Sequence, residues 1–149
     1  VGALEVFPNS RNVIPGRVSM SVDLRAGDDA VLLDMDAALR RACARIAGEC
    51  QLRIDVQQVV YFPPQPFTPD LVAGIRSSAL ALGYSAMDVV SGAGHDAVYL
   101  ARLAPTAMVF VPCADGISHN EIEDAQPDHL EAGCNVLLHA MLRSAGVAA

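Results

Sequence analysis

Val18-Ser-Met-Ser-Val-Asp-Leu-Arg25 (VSMSVDLR) alternates apolar and polar residues without a break. A period of two belongs to a strand with one buried and one open face, and it puts Ser19, Ser21, Asp23 and Arg25 on the open side. Arg25 is therefore expected to point away from the core. Directly after this stretch, Asp28 or Asp29 can cap a helix whose apolar positions Leu32, Met35, Leu39, Ala42 and Ile46 recur at helical spacing, with Gly48 as its stop. Before it, Ala3 to Phe7 reads as another strand, joined by the turn-rich Asn9-Ser-Arg-Asn12-Val-Ile-Pro15-Gly16. Leu52 to about Phe62 reads as a third. Strand, strand, helix, strand, with the helix on one face of antiparallel strands, predicts an α+β sandwich or most of one.

The run Pro63-Pro-Gln-Pro66 has fixed φ angles and too few amide donors to continue a sheet, so a boundary between two lobes is expected near residue 65. Beyond it, Thr68-Pro69 is a helix start, and Leu71, Ile75, Ala79 and Leu82 carry the apolar stripe to Gly83. A short strand at 87–90, a helix at about 96–103, a strand at 106–112 and a helix from Pro127 to about Ser144 follow. Helices alternating with apolar strands predict a mainly parallel α/β sheet with covered faces.

With 149 residues the chain can bury roughly 68 to 70% of its unfolded surface. Apolar residues make up 52% of it, but no run approaches the ~18 residues of a membrane span. The formal charge is −7. There is no lysine, and the arginines are scattered, so no basic stripe exists for nucleic acid. Cys43, Cys50, Cys113 and Cys134 show no C-x-x-C spacing and read as free, mostly buried thiols in a reducing, cytoplasmic compartment. The start VGALEVFPNS lacks a charged leader before an apolar core, so no secretory signal is expected.

Ligands in open α/β sheets bind beyond the carboxyl ends of strands, and His95 and His119 both occupy such loops. His95 lies in Ser91-Gly-Ala-Gly94-His-Asp-Ala97, where glycines permit close approach of a ligand to the backbone and the next helix offers its first amides. His119 lies in Gly116-Ile-Ser-His-Asn-Glu121, flanked by Asp115, Ser118, Asn120, Glu121 and Glu123, which suit the orientation of an imidazole. A solitary loop histidine is more often a surface residue than a ligand. A catalytic zinc takes three protein ligands, and no H-x-x-x-H, H-E-x-x-H or Cys/His cluster is present. His129 and His139, ten positions apart on the last helix, read as structural. G-x-G-x-x-G and G-x-S-x-G are both absent. Asn12 and Arg25 share the polar side of the first lobe, and an arginine among serines can grip a carboxylate with two parallel hydrogen bonds.

Together, NVIPG at 12–16, VDLR at 22–25, SGAGHDA at 91–97 and FVPCADGISHNEIE at 110–123 resemble the hydantoinase/carbamoylase branch of the zinc-dependent aminoacylase and carboxypeptidase clan. The resemblance runs from about Val1 to Ala145. It implies a hydrolase of carbon–nitrogen bonds other than peptide bonds in linear amides, acting on N-carbamoyl or ureido acids through metal-activated water. It also implies part of a ferredoxin-like lid or dimerisation domain over 1–65, then the C-terminal part of a two-metal catalytic α/β domain over 66–149. On that mapping His119 is the last ligand to a pair of zinc or manganese ions. His95, with Gly94, contacts substrate and helps stabilise the tetrahedral intermediate. Asn12 and Arg25 hold the substrate carboxylate, commonly across a homodimer. The family's H-x-D motif, paired glutamates and a further metal-binding histidine have no counterpart here, so the segment is expected to be inactive alone and to hold no metal tightly. Cys113 stands where the family often has serine. The alternatives are a free-standing binding or dimerisation module, or a peptidase or aminoacylase of the same clan.

Overall fold

In the computed structural model, which describes residues 1–146, Ala3–Phe7 (β1) and Arg17–Ser21 (β2) pair antiparallel, with Ala3 opposite Ser21 and Phe7 opposite Arg17. The connection between them closes where the Gly16 N–H donates to the Phe7 carbonyl at 3.0 Å. This hairpin is the only sheet among the described residues. The alternation of VSMSVDLR overstated the strand in two ways. Pairing stops at Ser21, and the apolar face is not buried, since Val18 and Met20 are each 55% exposed. Alternation records which residues favour one side; a two-stranded ribbon supplies no second layer to cover that side.

Asp29–Cys50 forms α1. The Asp28 carboxylate accepts the N–H groups of Ala30 at 2.8 Å and Val31 at 3.2 Å, which satisfies two of the helix's otherwise unpaired first donors. The helix runs through Gly48, the expected stop, because an interior glycine costs only about 1 kcal/mol. It ends where Gln51 turns left-handed at φ 54 and Leu52 N–H returns to the Ala47 carbonyl at 2.9 Å. Residues 52–62, expected as a strand, form no ladder among the described residues. They are tied to α1 by side chains instead: Arg40 Nη1 donates to the Val56 carbonyl at 3.2 Å, and Tyr61 Oη donates to the Asp29 carboxylate.

Val1–Pro64 is one structural unit and Gln65 onward is another. The second holds α2 (Pro69–Ala81), α3 (Asp96–Leu100), a single 3₁₀ turn at Ala114–Gly116, and α4 (Pro127–Ser144). Prolines at the first turns of α2 and α4 meet the expectation for helix starts. Thr68, however, does not cap α2 with its side chain. Its Oγ1 accepts the Thr106 N–H at 3.0 Å while its own N–H donates to the Thr106 carbonyl at 2.9 Å, so it stitches the start of α2 to the 106–112 segment.

α2 packs against α4. Ala79 on one and Val136 on the other are buried, and Asn135 Nδ2 donates to Tyr84 Oη at 3.0 Å. α4 also comes close to the 106–112 segment, since a methyl group added at Gly133 would lie 2.5 Å from Val111 Cγ1. Residues 87–90 and 106–112, expected as strands, have no strand partner among the described residues, and the parallel sheet is not formed there. A strand exists through its neighbour's hydrogen bonds, and apolar composition alone cannot specify that neighbour. α3 is one turn and a half, shorter than the expected 96–103, with a non-helical turn beyond Leu100. No described helix is long and apolar enough to cross a membrane.

Candidate functional site

Within the second unit, the SGAGHDA segment folds into a short loop that ends at the first turn of α3, with His95 as the residue preceding that helix. His95 is half-buried. Its Nε2 lies 2.7 Å from Ser91 Oγ, and Ser91 Oγ also accepts the Ala93 N–H at 3.2 Å. On the other side, the ring meets Phe110 edge-on, with centroids 5.5 Å apart and planes inclined at 60°. An imidazole held by a hydroxyl and an aromatic edge has its plane and rotation restricted, which suits a donor or acceptor aimed at a bound group. Gly94 is exposed, and a methyl group built there would meet nothing within 4 Å. Packing within the described chain therefore does not demand glycine at 94; close approach of a ligand to the backbone would.

Phe110 leads through Cys113 and the 3₁₀ turn to the His119 loop, so the ring that touches His95 and the loop that carries His119 belong to one continuous segment. The loop is closed by the Ala114 N–H, which donates to the Asp124 carbonyl at 2.7 Å. His119 is exposed and left-handed at φ 56, a conformation sparsely occupied by residues with a side chain. Among the described residues, its flanking polar groups make no side-chain hydrogen bond to the imidazole, contrary to expectation. Glu123 Oε2 accepts the His119 backbone N–H at 2.7 Å, and Asn120 Oδ1 accepts the Ile122 N–H at 3.2 Å. Both side chains shape the backbone, because the otherwise unsatisfied N–H groups of a tight loop are donors close at hand for their oxygens.

In the first unit, Asn12 and Arg25 are both exposed but lie at different ends of the hairpin. Asn12 sits in the β1–β2 connection, where its Oδ1 accepts from Ser10 Oγ at 2.9 Å. Arg25 follows the opposite end of β2, beyond Ser21. A single grip by both residues of one chain is therefore not assembled. The residue that sequence reasoning missed is Asp23. Its carboxylate takes Arg25 in a fork, Nε at 3.2 and 3.1 Å and Nη2 at 2.6 Å. The signal was available: residues two apart on an extended chain share a side. The hydrogen bond from Arg25, with its charge, holds Asp23 below the usual carboxylate range, and the same bond raises Arg25.

His95 and His119 make no direct hydrogen bond or ring contact with each other among the described residues. Nor do three His, Cys, Asp or Glu side chains converge among them as a metal site. His119 can offer one donor, and the described residues by themselves do not fit a metal centre, so no reaction step is derived through one. All the cysteines are free, but none is buried: Cys43 and Cys113 are half-buried, Cys50 and Cys134 exposed. The expectation of mostly buried thiols is corrected by the thinness of the core around α1 and α4.

Residues 5–143 match Peptidase family M20/M25/M40. Among relatives, an N-carbamoyl-L-amino-acid amidohydrolase of Rhizobium meliloti is 44% identical over 147 residues, covering 99% of this chain and 35% of that protein. An allantoate amidohydrolase of Escherichia coli (strain K12) is 36% identical over 138 residues, covering 91% of this chain and 33% of that protein. Among solved structures, an amidase of the hydantoinase/carbamoylase family from Burkholderia multivorans superposes with a TM-score of 0.92 at 60% identity, covering 95% of this chain and 34% of that one. The chain thus spans about a third of the length of the relatives it matches.

Proposed function

The chain belongs to Peptidase family M20/M25/M40, and from that premise we propose that it is part of an amidohydrolase cleaving carbon–nitrogen bonds of linear amides in N-carbamoyl or ureido acids. The observation that carries this reading is the 44% identity, over nearly the whole chain, to a protein named for N-carbamoyl-L-amino-acid hydrolysis. In this reading residues 1–65 are part of a lid and residues 66–149 are the end of a catalytic domain.

His95 faces the carbonyl oxygen as negative charge develops on it, and its neighbours Ser91 and Phe110 limit the ring's movement as that happens. Gly94 leaves room for the substrate beside it. Arg25 and Asn12 hold the substrate's carboxylate, Arg25 exchanging Asp23 for the incoming anion. Because the two lie at different ends of one hairpin, a homodimer in which each chain completes its partner's site accommodates both roles. His119 provides one donor to a centre of two zinc or manganese ions. Its other donors come from parts of the longer protein that this chain does not span. The chain alone is then inactive, and the free thiols fit a reducing, cytoplasmic setting.

The test is ammonia release by the full-length protein from N-carbamoyl-L-amino acids and from allantoate, set against release of free amino acids from dipeptides as the competing substrates. Hydrolysis of the carbamoyl or ureido compounds is expected. Cleavage of dipeptides alone would make the protein a peptidase of the same family, and cleavage of neither would leave a binding or dimerisation module. In parallel, His119→Ala is expected to lower the bound zinc or manganese measured by elemental analysis.

A further inference from the structure

Between Ser91 and His95 the chain makes a small closed loop through Gly92, Ala93 and Gly94, and the closure is made by side chains. Ser91 Oγ lies 2.7 Å from His95 Nε2, a normal length for an O–H···N hydrogen bond. A serine hydroxyl has one hydrogen to give and two lone pairs to receive. One lone pair is already directed at the Ala93 N–H, 3.2 Å away. That bond sets the hydroxyl oxygen relative to the loop backbone and leaves its hydrogen and one lone pair for Nε2; accepting one bond strengthens a hydroxyl as donor in the next, which favours O–H···Nε2. Phe110 then meets the ring edge-on, at 5.5 Å and 60°. Two contacts from different parts of the unit thus restrain one imidazole.

We propose that Ser91 is a positioning residue for His95: its hydroxyl donates to Nε2, selects the neutral tautomer with hydrogen on Nδ1, and so presents Nδ1–H as the donor offered to a carbonyl or anionic oxygen of the substrate. The use made of that donor rests on the amidohydrolase reading; the tautomer does not. The choice of tautomer matters because the nitrogen that faces the substrate must carry a hydrogen to stabilise an oxyanion, and which nitrogen carries it is set by what the other one bonds. An imidazole side chain without such a partner in water favours the opposite form, with hydrogen on Nε2. The serine therefore has a definite effect to detect.

Long-range proton–nitrogen correlation spectra of the full-length protein labelled with ¹⁵N-histidine read the tautomer directly, at a pH where the ring is neutral. The His95 signals are identified by their loss in His95→Gln. The wild-type ring is expected to carry its hydrogen on Nδ1, Ser91→Ala to revert to Nε2, and Ser91→Thr, which keeps the hydroxyl, to stay on Nδ1. A wild-type ring with hydrogen on Nε2 overturns the proposal, as does a Ser91→Ala spectrum unchanged from wild type. The wild-type spectrum is decisive even where a variant fails to fold. With hydrolysis as the readout, Ser91→Ala is expected to lower kcat by about ten- to a hundredfold with KM little changed, the scale on which small misplacements act, and Ser91→Thr to restore much of it. A ring with hydrogen on Nδ1 in a protein that hydrolyses nothing supports the positioning role and overturns only the amidohydrolase reading.

Discussion

The Asp23–Arg25 fork is a carboxylate grip already made, but with a carboxylate of the same chain. Exposed ion pairs of this kind are weak in water, so a substrate anion can displace Asp23 at small cost. Asp23→Asn is accordingly expected to lower KM for acid substrates by about two- to fivefold at unchanged kcat. Arg25→Gln should raise KM most and leave kcat the less affected; steady-state kinetics of the full-length protein measures both. The pH dependence has a definite sign. Asp23 is held below the usual aspartate range by Arg25, so the pair's contribution is fully present above the unfolded aspartate's titration. It is lost only as pH falls through the lower folded value. A carbon-detected titration of Asp23 should show a midpoint below that of a free aspartate, returning to the ordinary range in Arg25→Gln. Arg25 was legible as a candidate because an arginine on a serine-lined face can grip a carboxylate, and Asn12 because NVIPG is one of the motifs that carry the family resemblance. Asp23 was overlooked because alternation assigns a face without saying which neighbours on it will pair.

Helices were the most legible elements, since each carries its own hydrogen bonds and its start is written in residues such as Asp28, Pro69 and Pro127. Strands were the least legible, and residues 52–62, 87–90 and 106–112 show why: the pattern of a strand is local, but its partner is not. Glycines divide in the same way. At Gly48, inside α1, a methyl group would meet nothing within 4 Å, and Gly48→Ala is expected to stabilise the chain by roughly 0.5–1 kcal/mol. At Gly133, inside α4, the same group would fall 2.5 Å from Val111 Cγ1. Valine is stiff at χ1 and cannot swing clear, so the overpacking cost of about 1–3 kcal/mol outweighs the gain in helix propensity. Gly133→Ala should therefore lower the denaturation midpoint and Gly48→Ala raise it, as followed by circular dichroism in urea. Nothing in the sequence separates these two glycines; only the approach of α4 to the 106–112 segment does.

Across the whole molecule, large apolar side chains remain open to water in both units: Ile14 and Val59 are each 91% exposed, and Leu103 is 86% exposed. Apolar surface on this scale favours association. The 149-residue chain on its own is expected to bind 8-anilinonaphthalene-1-sulfonate strongly and to elute above its 15.7 kDa mass in size-exclusion chromatography. A monomer without dye fluorescence would contradict this. The sequence by itself determined the helices, their first turns, the hairpin, and the family, because local hydrogen bonding and ordered motifs are properties of neighbouring residues. It also singled out His95, His119, Asn12, Arg25 and Gly94 as candidates, through the motifs that together resemble one family. Only the tertiary structure decided that Ser91 and Phe110 restrain His95, that Glu123 serves the His119 backbone, and that Asn12 and Arg25 lie at different ends of one hairpin. Phe110 reaches His95 from a separate stretch of backbone, while Ser91 and Glu123 act four residues along their own loops, where no regular helix or strand geometry fixes the turn. Spacing along the chain specifies such meetings within a helix turn or a single strand, and not beyond.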